Sequence, residues 1–141
     1  MIDPDTVHIR KAVPADISAI KALIESFVED GILLPRTYDE LSELVNHTFV
    51  AELGGVLVGC VALDIYNHKL AEIRSLAVAK SAQGKGVGKL LVQACIDLAN
   101  EKQIFELMAI SSSENFFKSC GFDFTLPNLR KAFFLQMRDE L

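Results

Sequence analysis

At 141 residues the chain makes one compact domain, at about 150 residues per domain, and leaves little room for a second. Half of its residues are hydrophobic and 23% are charged, with nine Phe, two Tyr and no Trp, a composition that fills a core and excludes a disordered chain. The net charge of −5 disfavours nucleic acid and acidic membrane surfaces as partners.

Residues 1–11 carry Asp3, Asp5, Arg10 and Lys11 where an export signal needs its apolar stretch, and no run of about 18 apolar residues follows anywhere. Residues 7–12 read as a first strand. Pro14 then suits a first helical turn, and Ile17, Ile20, Leu23, Ile24 and Phe27 recur at helical spacing up to Gly31. Thr37-Tyr38-Asp39-Glu40 has the spacing of a capping box, in which the Thr hydroxyl accepts an orphan amide and the Glu reaches back, so a short helix with Leu41, Leu44 and Val45 starts there. Residues 49–53 and 56–65, apolar and β-branched, flank Gly54-Gly55 and predict a hairpin. After a turn at Asn67-His68, residues 70–78 continue the meander.

From 87 to 100 the apolar Val87, Leu90, Leu91, Ala94, Cys95 and Leu98 share one helical face, and Lys89, Gln93, Asp97 and Asn100 another. Residues 104–110 predict a buried strand, 113–120 a short helix capped by Ser112 or Ser113 and stopped by Gly121, and 133–137 a last strand. The pattern is mixed α/β.

The most informative stretch runs from Ser75 to Leu91, a strand, a glycine loop and a helix start. Glycines at 84, 86 and 88 let backbone amides crowd together without Cβ atoms, and the helix adds its unpaired N–H groups and positive dipole end, which makes a cradle for an anion. The dinucleotide fingerprint GxGxxG and the phosphate loop GxxxxGK[ST] both fail on spacing, because Gly88 directly continues the alternation and Leu90 follows Lys89. Residues 73–96 contain Arg74, Lys80, Lys85 and Lys89 and no acid at all, a local positive field in an acidic chain. The bland alternative is a plain connecting turn with solvated lysines, but such a turn needs one glycine or two, not three at alternate positions.

Gln83-Gly84-Lys85-Gly86-Val87-Gly88, following Leu76-Ala77-Val78, resembles the Q/R-x-x-G-x-G/A acetyl-CoA motif of the GNAT superfamily of N-acetyltransferases, and the element order matches along nearly the whole chain. Within that superfamily the chain is similar to the acetyltransferase domain of N-acetylglutamate synthases, through Gly31-Ile32-Leu33-Leu34-Pro35-Arg36, Ala71-Glu72-Ile73 and Asn115-Phe116-Phe117-Lys118-Ser119-Cys120-Gly121-Phe122. The amino-acid-kinase-like domain that those synthases often carry has no counterpart in this sequence.

The resemblance implies a mixed, mostly antiparallel sheet flanked by helices, with acetyl-CoA as co-substrate and no metal. It implies that the backbone of Leu76, Ala77 and Val78 hydrogen-bonds the pantetheine arm like an added strand. Gln83 and the amides of Gly84, Lys85, Gly86, Val87, Gly88 and Lys89 are then expected at the pyrophosphate. Asn115 is expected to contact the cofactor, at a shorter spacing than the family's usual Asn.

Acetyl transfer to an amine needs the amine neutral. Near neutral pH that costs about 1.4 kcal/mol for an α-amino group and roughly 4.6 kcal/mol for a lysine. Glu72, in a strand otherwise made of Leu70, Ala71, Ile73 and Leu76, matches the acidic position that many GNAT enzymes use as base, often through a water. Alternation puts Glu72, Arg74, Leu76 and Val78 on one face, so the competing reading is a same-face ion pair of Glu72 with Arg74.

The family's frequent thiolate-protonating tyrosine falls at Phe117, which has no proton to donate. The thiolate then leaves without a dedicated acid, or Ser111, Ser112, Tyr66 or a water serves instead. A guanidinium suits a carboxylate, and the resemblance implies that Arg36 holds a carboxylate of the substrate, with Arg74 and Arg138 as further substrate-side cations; for Arg36 and Arg138 the alternative is a solvated surface arginine.

Cys60, Cys95 and Cys120 are widely spaced and odd in number, which suggests neither a disulfide framework nor a zinc cluster and fits a reducing cytoplasm. His8, His47 and His68 have no partner at metal-ligand spacing. Cys120, without a nearby His, reads as an apolar filler. The expected activity is direct transfer of acetyl from acetyl-CoA to a primary amine in a ternary complex, the acceptor being a small amino acid such as glutamate. A protein or peptide N-acetyltransferase and a non-catalytic acyl-CoA-binding module are the alternatives. Strand edges and apolar content are compatible with a homodimer.

Overall fold

Apolar alternation broken by turns makes the strands, and 3.6-residue repeats make the helices, in the computed structural model, which describes residues 6–124 and 133–138. In chain order these are strand β1 (Val7–Lys11), helices α1 (Ile17–Glu29) and α2 (Tyr38–Leu44), strands β2 (Thr48–Leu53), β3 (Val56–Ile65) and β4 (Leu70–Val78), helix α3 (Val87–Glu101), strand β5 (Glu106–Ala109) and helix α4 (Glu114–Ser119). The chain divides into two compact units, Met1–Ile110 and Ser111–Leu141.

In the first unit the strands form one sheet in the order β1-β2-β3-β4-β5, antiparallel throughout except for the parallel pair β4–β5. This is the mixed, mostly antiparallel α/β sheet expected. Gly54 and Gly55, at φ of +58° and +79°, make the two-residue turn between β2 and β3. Both bonds of the capping box form at α2: Glu40 N–H donates to Thr37 Oγ1 at 3.1 Å, and Thr37 N–H donates to Glu40 Oε1 at 3.1 Å. Pro14 opens a 3₁₀ turn, Pro14–Asp16, rather than α1 itself. Arg10 binds Asp16 and Glu52, tying β1 to that turn and to β2, and its guanidinium holds the Asp16 carboxyl below the usual range.

One face of the sheet is covered by α1 and α2, where Ile17, Ile20, Ile24, Phe27 and Leu41 pack with Val50, Cys60 and Ala77. The opposite face meets α3. There Gly59 of β3 lets the helix come close: a Cβ at that position would stand 3.0 Å from Leu91 Cδ1, 3.2 Å from Val87 Cγ1 and 3.3 Å from Ala51 Cβ.

Three expectations are corrected. Leu90 is exposed, because the buried stripe of α3 runs through Val87, Leu91, Val92, Cys95, Leu98 and Ala99, one position round from the predicted face. Strand β5 is shorter than residues 104–110 and lies at a sheet edge, exposed to half-buried rather than buried, since it has a ladder partner on one side only. Residues 133–137 form no strand: their apolar composition favours one, but among the described residues no strand pairs with them, and Phe133 and Phe134 lie exposed.

In the second unit α4 ends as predicted at Gly121. Gly121 has φ of +95°, its N–H donates to Lys118 O at 3.0 Å, and Phe122 N–H donates to Phe117 O at 3.0 Å, closing the last turn while the rings of Phe117 and Phe122 meet edge to face at 5.4 Å. Ser113 occupies the N-cap without a side-chain cap bond; its own N–H donates to Ser111 Oγ at 3.0 Å.

Replacing Gly59 with Val forces new methyl groups against fully buried neighbours. Gly59→Val is expected to lower unfolding stability by about 1–3 kcal/mol, read as an earlier midpoint in chemical denaturation.

Candidate active site

Strand β4 is longer than its parallel neighbour. The β4–β5 ladder runs from Leu70 opposite Glu106 to Ile73 opposite Ala109 and stops, whereas β4 continues to Val78. A bulge accompanies the change: Ala62 pairs with Arg74 but Cys60 with Ala77, so Ser75 and Leu76 together oppose one residue of β3. Ser75 takes the left-handed φ of +54° that this requires, and the Cys60 thiol donates to its carbonyl at 3.3 Å.

Past the bulge, Ala79 N–H donates to Val58 O at 2.7 Å, toward β3. Strand alternation therefore turns the backbone groups of Val78, and of Leu76 two residues earlier, away from β3 to the side that β5 does not cover. Gln83 Nε2 reaches back to the Val78 carbonyl at 3.0 Å.

The bulge also breaks the alternation expected for Glu72, Arg74, Leu76 and Val78. Glu72 and Arg74 do share a face, but that face continues through Ala77, because Asp64, Ala62 and Cys60, every second residue of β3, oppose Glu72, Arg74 and Ala77.

A 3₁₀ turn, Lys80–Ala82, follows β4 and is anchored by fully buried Ala82. Gly84 and Gly86 then take φ of +80° and +79°, Gly86 as the N-cap of α3, and a Cβ at either would meet nothing within 4 Å. These two glycines supply a conformation that side chains disfavour, and they face open space. Gly88 lies in the first turn of α3 and needs no such φ. Among the described residues, the amides of residues 84–89 find no acceptor; the first bonded amide is that of Leu90, to Gly86 O at 3.1 Å. Unpartnered N–H groups converging at the start of a 15-residue helix fit a diphosphate. Lys85 and Lys89 stand exposed beside them, whereas Lys80 pairs with Asp30 at 3.7 Å and Arg74 is engaged further back along β4.

Glu72 is buried, 8% exposed, on a face that it shares with Arg74 and, across the hairpin, Asp64. Tyr66 Oη donates to Glu72 Oε1, Arg74 Nε donates to the same oxygen at 3.1 Å, Arg74 Nη2 donates to Tyr66 Oη at 2.9 Å, and Arg74 Nε lies 3.4 Å from Asp64 Oδ2. Burial, and next the bond to the Glu72 carboxylate, push the Tyr66 phenol above its ordinary value, so the hydroxyl stays protonated. The ion pair of Glu72 with Arg74 thus forms, inside a larger cluster. Asp64 carries no motif of its own; its signal is register, since it faces Glu72 across the hairpin.

Arg36 precedes the cap of α2. Its Nη1 lies 3.4 Å from Glu40 Oε2 and its carbonyl accepts from Lys21 Nζ at 3.2 Å. The side chain is only 17% exposed, and its Nε is buried without a partner among the described residues, an orphaned donor beside a capped helix. In the second unit, Asn115 is exposed in the first turn of α4, Phe117 packs edge to face between Phe116 and Phe122, and exposed Arg138 donates to Met137 O at 2.7 Å. Among the described residues no group of His, Cys, Asp or Glu is arranged to share a metal ion, and no helix is long and apolar enough to cross a membrane.

A family model described as Acetyltransferase (GNAT) family matches residues 18–122. Similar proteins include an uncharacterized N-acetyltransferase of Chlorobaculum tepidum, 36% identical over 128 residues that span 91% of this chain and 80% of that one. Another is an amino-acid acetyltransferase of Mycobacterium tuberculosis, 33% identical over 117 residues, 81% of this chain and 67% of that one. The N-acetylglutamate synthase of Neisseria gonorrhoeae, complexed with coenzyme A and N-acetyl-glutamate, superposes with a TM-score of 0.73 at 36% identity; the match covers 81% of this chain but 27% of the synthase.

A side chain at Gly86 would strain the loop by about 1–2 kcal/mol without meeting any neighbour. Gly86→Ala is therefore expected to weaken coenzyme A binding about tenfold in calorimetric titration.

Proposed function

Since the chain belongs to the GNAT acetyltransferase family and is an N-acetyltransferase, we propose that it acetylates the amine of a small amino acid carrying a free carboxylate, glutamate being the preferred candidate. The observation that carries the choice of acceptor is the Arg36 guanidinium, held 17% exposed in a loop otherwise fixed by the α2 cap, with Glu40 as its one side-chain partner among the described residues. A planar guanidinium with a spare N–H suits a carboxylate better than a neutral group. The names of the Mycobacterium and Neisseria relatives support the same acceptor class.

In this reading acetyl-CoA, when bound, supplies the acetyl group as a thioester. The amides of Gly84, Lys85, Gly86, Val87, Gly88 and Lys89 hold its diphosphate, with Lys85 and Lys89 adding charge at the rim. The outward backbone groups of Leu76 and the Val78 N–H pair with the pantetheine arm in place of a neighbouring strand, and an N–H there meets the developing oxyanion. Gln83 acts as a brace on the Val78 carbonyl. Ala77 turns its backbone toward β3 and contributes by restoring the pairing with Cys60 after the bulge.

Glu72 serves as the base. An ammonium sheds two protons in becoming an amide: Glu72 takes one, directly or through water, and the other leaves on the thiol. Phe117 has no part in that second transfer. Arg74, expected at the substrate, instead pairs with both Glu72 and Asp64, one cation between two carboxylates.

A panel of free amino acids, simple amines and peptides assayed by thiol release tests the acceptor class; turnover confined to peptides would overturn it. Arg36→Ala is expected to raise the amino-acid KM about 10- to 100-fold, the worth of a charge-assisted hydrogen bond, with acetyl-CoA affinity unchanged. Arg36→Lys should recover little of it, since the fork is lost.

A further inference from the structure

The turn between β3 and β4 is held more tightly than a hairpin tip needs. Tyr66 N–H and Asn67 N–H both donate to Leu70 O, at 3.1 and 3.3 Å, and Asn67 Oδ1 accepts from Lys69 and Leu70 N–H at 2.8 and 3.1 Å. This fixes the backbone of Tyr66, so its hydroxyl arrives over β4 at Glu72. Arg74 comes to the same place from within β4, its guanidinium 6.0 Å from the Tyr66 ring centroid.

Both donors use one oxygen. Tyr66 Oη and Arg74 Nε each donate to Glu72 Oε1, and among the described residues nothing donates to Oε2, while 11% of the Glu72 side chain stays exposed. We propose that Tyr66 and Arg74 saturate Glu72 Oε1 so that Oε2 alone is presented to the substrate amine, which makes Tyr66 a positioning residue for the transfer. This rests on the reading of Glu72 as the base.

Charge supports the assignment. Among the described residues Asp64 and Glu72 have Arg74 as their shared ion-pair partner, two carboxylates to one guanidinium, while α1 and α2 present Ile17, Ile20, Ile24, Phe27 and Leu41 to this side of the sheet and Met108 stands opposite Glu72 on β5. An ammonium is the group that balances such a cluster. Its proton passes to Oε2, and Tyr66 neither gains nor loses one, because its own proton is committed to Oε1. Tyr66 is thereby distinguished from an acid that protonates the thiolate.

The experiment compares wild type, Tyr66→Phe, Glu72→Gln and the double variant with acetyl-CoA and whichever acceptor of the panel wild type turns over fastest. Tyr66→Phe keeps the ring that Arg74 lies against and removes only the hydroxyl. Glu72→Gln is expected to lower kcat about 100-fold or more, as loss of a general base does, and Tyr66→Phe about tenfold with the acetyl-CoA KM unchanged. The acidic limb of the Tyr66→Phe pH–rate profile should move to higher pH, because a donor to the charged carboxylate has been withdrawn. In the Glu72→Gln background, loss of the hydroxyl should cost nothing further.

A Tyr66→Phe enzyme with wild-type kcat and an unmoved limb, whatever its melting temperature, overturns the proposal while leaving the base in place. An equal loss in both backgrounds makes Tyr66 an independent acid and overturns it too. A Glu72→Gln enzyme with wild-type kcat removes the base, and the role of Tyr66 with it.

Discussion

The ladder between β4 and β5 ends at Ile73 while β4 runs on to Val78, and the rest of the site depends on that mismatch. A strand edge inside a sheet normally has its N–H and C=O groups paired, and leaving them bare is costly unless water or a ligand meets them. Here the bulge at Ser75 turns β4 just where β5 stops, so the bare groups are aligned rather than scattered. The 3₁₀ turn, the glycine loop and the start of α3 follow directly on the bare segment, so the outward groups of β4 lead into the unpartnered amides of residues 84–89.

The charges are sorted along the same strand. Acidic side chains gather around Glu72, and free amides and lysines gather past Val78. Five ladder steps at about 3.3 Å each separate the two, roughly 17 Å, a length over which an elongated ligand would present an anionic handle at one end and a reactive group at the other. Arg74 belongs to the acidic end despite its position in the basic window of the sequence. Its partners Asp64 and Glu72 come from two strands, and only the register of the hairpin brings them together.

Local signals were the most legible in sequence. The glycine pair of the hairpin, the Thr37 and Glu40 capping box, the stop at Gly121 and the loop from Gln83 to Gly88 each carry their chemistry within a few residues, and each appears where expected. Features set by partners were less so. A simple alternation cannot reveal a bulge, so it gives Leu76 the face that Ala77 takes. Asp64 and Tyr66 join Glu72 through the closing of a hairpin, and residues 133–137 have strand composition with no neighbour to pair with among the described residues. Arg36 is legible from its loop, but only the structure shows that its Nε is buried without a partner among the described residues.

The thiol at the bulge bears on how this enzyme ages. Cys60 is fully enclosed, and burial raises its ionisation to about 12, so almost none of it is thiolate near neutrality. Peroxides and electrophiles attack the thiolate, and they must also reach it through packed side chains. The sulfur that supports the bend of β4 is thus shielded from oxidative damage by the same apolar packing that makes it a weak donor, and a chain short of reducing power would keep the shape of its open edge.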